Sequence, residues 1–243
     1  MILSDLHANI EALESVLAHA AGTYDEAVCL GDLVGYCASP REVVDWAREN
    51  CALIVRGNHD KAVCGLDEMG NFNEIARRAV EWSREQLDEE RLQWLRGLPE
   101  GPLPRGGAEF AHGSPRDEDD YLLMMTDARL LFEDYHAPLC FIGHSHLQGG
   151  FKYGQGRVER LPRPEPYLTG MAIRLEEDAC YLVNPGSVGQ PRDGDSRAAY
   201  AIWDDELKLV IYCRTEYDVD RAVQRILDAG LPTMLAERLV AGR

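Results

Sequence analysis

The chain lacks any apolar run near the roughly 20 residues that a membrane helix requires. Its longest apolar stretches, such as Ala27–Leu30 and Pro138–Ile142, fall far short. It also opens directly on a strand-like Met1-Ile2-Leu3 with no charged-then-apolar leader, so a cytoplasmic location is the expectation. Positive charge is scarce: 25 Lys and Arg face 42 Asp and Glu, a net charge of -17. Such a surface repels phosphate backbones and anionic lipid at long range, which excludes a non-specific nucleic-acid or membrane binder. A small anionic molecule is still admitted if a local positive centre captures it, and a bound metal is the strongest candidate. Paired cysteines are missing too. The seven cysteines are an odd number with no C-x-x-C pair, so they read as reduced packing residues and exclude a thiolate zinc site. No G-x-G-x-x-G or Walker loop occurs. With 243 residues, no internal repeat and no linker, one domain spanning 1–243 is expected.

The first 60 residues alternate between strand and helix. Met1–Ser4, Ala27–Leu30 and Ala52–Val55 read as short buried strands. Asn9–Ala20 carries apolar residues at helical spacing, and Pro40 opens a second helix over Pro40–Asn50. Strand–helix–strand units of this kind imply right-handed crossovers and a mostly parallel sheet. The middle is helical over Phe72–Gln86 and Asp88–Gly97, with Trp82, Leu92 and Trp94 toward the core. Gly107–Ala111 and Pro138–Ile142 are further strands. Between them lies the acidic segment Ser114–His136, either a rim acting through Tyr121, Met124 and Met125 or an amphipathic helix packing Leu130, Leu131 and Phe132. Beyond Gly149 come short runs read as antiparallel strands: 151–153, 157–161, 171–175, 179–183, 198–203 and 208–214. Helices over Val219–Ala229 and Thr233–Val240 close the chain. They dock on the core or on a second copy, making a homo-oligomer through this C-terminal pair one expectation.

The histidines carry the chemistry. Of seven, five lie beside glycine or a carboxylate after an apolar strand. Asp5-Leu6-His7 follows the first strand, and an extended backbone there would point both side chains the same way. A carboxylate with an imidazole suits a divalent ion of borderline hardness. Gly31-Asp32 follows the second strand and offers a carboxylate that two ions can share. Gly57-Asn58-His59-Asp60 follows the third, adding an amide oxygen. His112-Gly113 and Gly143-His144-Ser145-His146 follow the next two. Each motif alone has a structural reading as a cap, a turn or a packed ring. Five in order, after five apolar strands, converge in the crevice above the carboxyl ends of the sheet and point to a dinuclear metal site.

This ordered set resembles the calcineurin-like metallophosphoesterase superfamily. The late string Asn184-Pro185-Gly186-Ser187-Val188-Gly189-Gln190-Pro191-Arg192 resembles its bacterial branch labelled diadenosine-tetraphosphatase-like or simply phosphoesterase. The motifs span residues 5–192. The resemblance implies an α/β fold, a four-layer α-β-β-α sandwich of two mixed sheets flanked by helices. It implies a hydrolase of phosphomonoester or phosphodiester bonds, acting on a small phosphoester or nucleotide with two divalent ions from among Mn, Fe, Zn, Ni and Co. It assigns Asp5, His7, Asp32 and His146 to one ion and Asp32, Asn58, His112 and His144 to the other, with Asp32 bridging. His59 matches the proton donor to the leaving group, and Asn58 and His59 fall at the substrate. Arg56 reads either as a phosphate-facing arginine or as a solvated strand-end residue, and Arg192 either as a substrate-phosphate contact or as a turn-stabilising surface arginine. Two carboxylates against two divalent ions leave a formal +2, the positive centre that the acidic surface demands.

Two features depart from the family pattern. Only four residues precede Asp5. After Gly31-Asp32 comes Leu33-Val34-Gly35-Tyr36, without the arginine that protein serine/threonine phosphatases and symmetrical diadenosine tetraphosphate hydrolases carry nearby, which argues against both activities. Asp60 either orients His59 or caps the next turn. Asn184 and Ser187 read as turn-fixing residues. His19 and His136 match no motif. Among rival chemistries, Gly143-His144-Ser145-His146-Leu147 lacks the last glycine of a G-x-S-x-G elbow. Asp193-Gly194-Asp195 imitates the nucleophile motif of haloacid-dehalogenase-type phosphatases, but follows a loop rather than a buried strand. A non-catalytic, metal-bound interaction scaffold of the same fold is the alternative from another class, and it has no need of the Asn58-His59 pair.

Overall fold

The structure, a computed structural model, describes residues 1–165 and 168–243. Strand β1 (Ile2–Leu3), helix α1 (Ile10–His19), β2 (Ala27–Cys29), α2 (Pro40–Asn50) and β3 (Cys51–Ile54) form the expected crossovers. Then come α3 (Asn58–Val63), α4 (Glu74–Gln86), α5 (Glu89–Arg96), β4 (Leu103–Arg105), β5 (Ala108–Phe110), α6 (Met125–Leu131) and β6 (Leu139–Phe141). Six strands follow: β7 (Gly149–Gly154), β8 (Arg157–Arg160), β9 (Gly170–Arg174), β10 (Ala179–Asn184), β11 (Ala198–Asp204) and β12 (Leu209–Thr215). Helices α7 (Val219–Asp228) and α8 (Thr233–Ala241) complete the order.

Two six-stranded mixed sheets result, ordered β3-β2-β1-β11-β12-β9 and β4-β5-β6-β10-β7-β8. In the first, β1, β2 and β3 run parallel and β11 turns antiparallel to β1. In the second, β5, β6 and β10 run parallel while β4, β7 and β8 run antiparallel to their neighbours. Strand β10 is therefore not purely antiparallel, as its alternating pattern suggested. It pairs parallel to β6 through Tyr181, Leu182 and Val183 because the chain returns to it after the β7–β9 excursion.

Alternation of side chains gives each sheet two buried faces, and hence four layers. Ile2, Val28 and Tyr212 from one sheet meet Phe110, Phe141 and Tyr181 from the other. Phe110 and Phe141 stack with centroids 5.4 Å apart. Leu3 and Cys29 face the opposite way, against Leu13 and Val16 of α1 and Val43 and Val44 of α2. The outer face of the second sheet buries Cys140, Phe151 and Leu182 against Leu131 and Phe132 beside α6. Each such large side chain, removed from water, contributes about 1.5–3 kcal/mol.

The C-terminal pair docks on its own chain: Ile226, Leu235 and Leu239 pack against Tyr36, Cys37, Ala76 and Ala79. The cysteines are all free, five of them buried. Only 125–131 of the 114–136 segment is helical, and Leu130 is exposed where an amphipathic helix would have buried it. Trp82, Leu92 and Trp94 are half-buried edge packers rather than core. Among the described residues no helix is long and apolar enough to cross a membrane.

Candidate metal centre

Parallel strands deliver their C-terminal ends to one edge of the sandwich. Asp5 and His7 leave β1, Asp32 follows β2, and Asn58 and His59 open α3 after β3. His112 follows β5, and His144 and His146 follow β6. Backbone hydrogen bonds lock these loops together. Asp5 N–H donates to Gly31 O (3.0 Å), His7 N–H to Asp32 O (2.9 Å), and Gly143 N–H to His112 O (2.6 Å). The late loop 184–192 adds cross-ties. Ser187 Oγ donates to Asp5 O at 2.8 Å, and Asn184 Nδ2 donates to Gly143 O at 2.8 Å. Asn184 and Ser187 thus fix more than their own turn: they join the first ligand loop to the last.

Two buried donor groups form. Asp5, His7, Asp32 and His146 offer atoms within 4.8 Å of one another, as do Asp32, His112 and His144, and Asp32 is common to both. Its Oδ2 lies 3.6 Å from His7 Nε2 and 3.5 Å from His112 Nε2. Its Oδ1 accepts from the backbone N–H of His59 at 2.8 Å. Asn58 Oδ1 sits 3.2 Å from His112 Nε2, at the margin of the second group.

The protonation pattern shows that the donors suit a cation. His7 Nδ1 is 3.0 Å from Val34 O, and His146 Nδ1 is 2.6 Å from Gln190 O. A carbonyl only accepts, so each Nδ1 carries a hydrogen and each Nε2 of a neutral ring presents a lone pair. Burial holds both rings well below the usual histidine pKa, hence neutral. Yet the two Nε2 atoms face each other at 3.1 Å. Two lone pairs at that distance repel unless a cation lies within reach of both. Asp5 Oδ1 and His144 Nε2 point inward as well, and neither has a hydrogen-bond partner. Burial, then the nearby Asp32, raise Asp5 to about 7. Burial lowers His144 to about 3. His112 moves the other way: burial opposes its charge, but Asp32 and Asp5 outweigh burial and lift it to about 10. Without metal, a proton on His112 supplies the positive charge between the carboxylates.

The backbone here was not anticipated. Asp5, His7, Asp32, His144 and His146 all adopt positive φ, between 44° and 63°. The converging pairs Asp5/His7 and His144/His146 are therefore presented by left-handed turns, not by the extended strand that their i, i+2 spacing suggested. Each such residue costs about 1 kcal/mol or more. Aspartate is among the residues least penalised there, and histidine is enriched.

Close approach explains two glycines. A Cβ on Gly57 would lie 2.2 Å from Asp32 Oδ1 and 2.3 Å from Asp32 N; one on Gly35 would lie 2.3 Å from His59 Nδ1. Gly57→Ala is accordingly expected to push Asp32 out of both groups. Thermal denaturation should register about 1–3 kcal/mol of overpacking, and elemental analysis should show reduced metal.

His59 is buried between Tyr36 (centroids 4.5 Å) and Phe72 (4.9 Å), and its Nδ1 has no hydrogen-bond partner. Burial lowers it to about 4. Asp60 does not serve the imidazole. Its carboxylate accepts from Leu33 N–H (2.8 Å) and Gly57 N–H (3.1 Å), which is the capping alternative. Arg56 is engaged by Glu118 through two hydrogen bonds of 3.2 and 2.7 Å. Arg192 lies over the Tyr36 ring at 5.4 Å, on the metal side of the site. Asp193 pairs with buried Arg214 and Asp195 with Arg197, so the aspartates of the D-x-D string are structural. Sequence reasoning missed Tyr36 and Phe72 as walls of the site. The signal available was weak: each is a lone loop aromatic, Tyr36 ahead of α2 and Phe72 ahead of α4.

A two-sheet sandwich that gathers strand-end aspartates and histidines into two carboxylate-sharing groups is the frame of a metal-dependent phosphoesterase. Comparison with known proteins gives the family: residues 1–206 match the calcineurin-like phosphoesterase superfamily domain, and the chain belongs to that superfamily. It is 38% identical to a metallophosphoesterase of Sphaerobacter thermophilus whose crystal structure superposes with a TM-score of 0.85, covering 100% of this chain and 98% of that one. It is 34% identical over 258 residues to the uncharacterized protein MJ0912 of Methanocaldococcus jannaschii, covering 100% and 97% of the two chains. The crystal structure of hypothetical protein PH1004 of Pyrococcus horikoshii OT3 shares the fold, with a TM-score of 0.76 at 19% identity over 100% and 97% of the two chains.

Proposed function

We propose that this protein hydrolyses a phosphomonoester or phosphodiester bond with two divalent ions, one in each donor group. The observation that carries the reading is Asp32, whose Oδ2 lies midway between His7 and His112. Two such cations supply a Lewis-acid clamp on phosphoryl oxygens and hydroxide at neutral pH from a bound water. The chain supplies the rest. Asp5, His7 and His146 complete one set of donors, and Asn58, His112 and His144 the other. Arg192 adds a fixed positive charge for a non-reacting phosphoryl oxygen. Arg56 is held by Glu118, so phosphate recognition falls to Arg192. His59 gives a proton to the departing oxygen. It is neutral in the free protein, and the charge that lets it take up a proton comes from the phosphoester anion beside it.

Protein purified without chelators should hold close to two transition-metal ions per chain by elemental analysis. Active protein free of metal would overturn the reading. Chelation should also reduce stability, because the facing lone pairs and left-handed donors lose their compensation. At 100-fold excess over the dissociation constant, bound metal contributes about 2.7 kcal/mol. For a chain of this size that is roughly 5–10 °C in the melting temperature.

A further inference from the structure

Beside the proposed metal centre, a cleft of about 130 Å³ opens outward from Asn58, His59 and His144. Its far walls come from two distant segments, 67–76 and 119–121. Phe72 stands edge-on to His59 at 4.9 Å. Opposite, Tyr121 lies against the His144 ring with centroids 3.8 Å apart, though the tyrosine is 50% exposed. At about 30 Å³ per water, the cleft holds about four water volumes. That is room for a single flat ring between the walls; anything larger projects through the open mouth.

The charges at and beside the rim of this cleft are net negative. Lys61 Nζ lies 2.7 Å from Asp119, 3.0 Å from Glu118 and 3.8 Å from Asp67. Arg56 pairs with Glu118 at 2.7 Å and Glu100 at 3.7 Å. Four carboxylates thus face two cations, and both cations are saturated. The same pairs tie residues 118–119 to α3 and so hold Tyr121 over His144. Asp67 and Asp119 line the cleft itself. Arg192 lies over the ring of Tyr36, the cleft wall that packs on both His7 and His59. The site is therefore polarised: positive at the Tyr36 wall next to the donors, aromatic at Phe72 and Tyr121, and acidic at Asp67 and Asp119.

We infer that this cleft receives the leaving group, and that it selects phosphoesters whose leaving group is a small flat ring without negative charge. The inference rests on the phosphoesterase reading. In the hydrolysis the phosphorus–oxygen bond to the leaving group breaks, the oxygen of water takes its place on phosphorus, and a proton ends on the departing oxygen. With His59 giving that proton, the departing oxygen lies at the inner end of the cleft and its substituent lies between Phe72 and Tyr121. A substituent carrying a second phosphate meets Asp67 and Asp119, whose shared partner Lys61 is already outnumbered by three carboxylates. Dinucleoside polyphosphates and nucleoside diphosphates are thereby disfavoured. Met124 and Met125 lie outside this cleft, and among the rim residues singled out in the sequence only Tyr121 contributes.

The test uses the metal-loaded full chain and two esters that differ in leaving-group charge at nearly constant size, 4-carbamoylphenyl and 4-carboxyphenyl phosphate. The neutral amide is expected to show at least about tenfold higher kcat/KM, a preference that shrinks as salt is added. In the double variant Asp67→Asn/Asp119→Asn the ratio should fall toward one, which separates charge selection from the small difference in phenol acidity. Phe72→Ala should lower kcat/KM on both esters, mainly through KM. Equal kcat/KM on the two esters with wild-type protein, a preference indifferent to salt, or one unchanged in the double variant would each overturn the inference while leaving the hydrolase intact. The same pair is assayed as methyl phosphodiesters, and turnover of neither the monoesters nor the diesters would instead overturn the phosphoesterase reading, and this inference with it.

Discussion

Asp32→Asn is expected to empty both donor groups and abolish turnover together. The substitution changes almost no volume, so its effect is chemical. Asp32 Oδ1 accepts from His59 N–H at 2.8 Å, and Oδ2 faces His7 and His112. An amide satisfies only one of these duties. If its oxygen keeps the His59 bond, its NH₂ points at the imidazoles; if it turns over, the NH₂ confronts the His59 N–H. The lost charge matters equally. Although burial opposes ionisation, His112 and His59 hold Asp32 well below the usual carboxylate pKa, so the native site is built around its negative charge. Loss of a two-ion clamp worth several kcal/mol corresponds to more than about 10³ in rate. Elemental analysis and turnover of a nitrophenyl ester, measured on one preparation, check the coupling. Retention of both ions by the variant would refute the bridging role.

The chain announces its donors because metal chemistry restricts residue type. Aspartate, histidine and asparagine placed after short apolar strands have few other reasons to recur in order. Parallel strand order follows from the same pattern, since an apolar run followed by a helix admits little else. What the pattern does not encode is the path of the backbone at the ligands. The spacing Asp5-x-His7 fits an extended chain, yet the structure puts Asp5 and His7 each in a left-handed conformation, with Leu6 between them outside that region. Their conformation is set by backbone bonds to remote partners, Gly31 and Asp32 for the first loop and Arg192, whose N–H donates to His146 O, for the last. Likewise α3 was missed because six residues leave no period to read, and its cap, Asp60, equally resembled an orienting carboxylate. The cleft was illegible for a third reason. Phe72 and Tyr121 are 49 positions apart, and what brings them to one pocket is the pairing of Lys61 with Glu118 and Asp119, ordinary surface charges in any linear reading.

His59→Asn should leave the metal in place and remove the proton donor. The backbone N–H of residue 59, which holds Asp32, survives any side-chain change, so metal content is expected to match wild type. The imidazole is a separate matter. It is wedged between Tyr36 and Phe72 and edge-on to His7, at the inner end of the cleft, and its Nδ1 has no hydrogen-bond partner among the described residues. General acid help is worth about 10²–10⁴-fold, and its share grows as the departing oxygen becomes more basic. A nitrophenolate leaves with little assistance, whereas an alkoxide leaves poorly without a proton. The variant should therefore show a steeper fall of kcat with leaving-group basicity than wild type, and it should lose least on the nitrophenyl ester. A purely structural role for the ring would depress all esters by the same factor and leave the slope unchanged. Rates measured across a series of esters with graded leaving groups distinguish these two outcomes, and a parallel slope would remove His59 from the proton-transfer step.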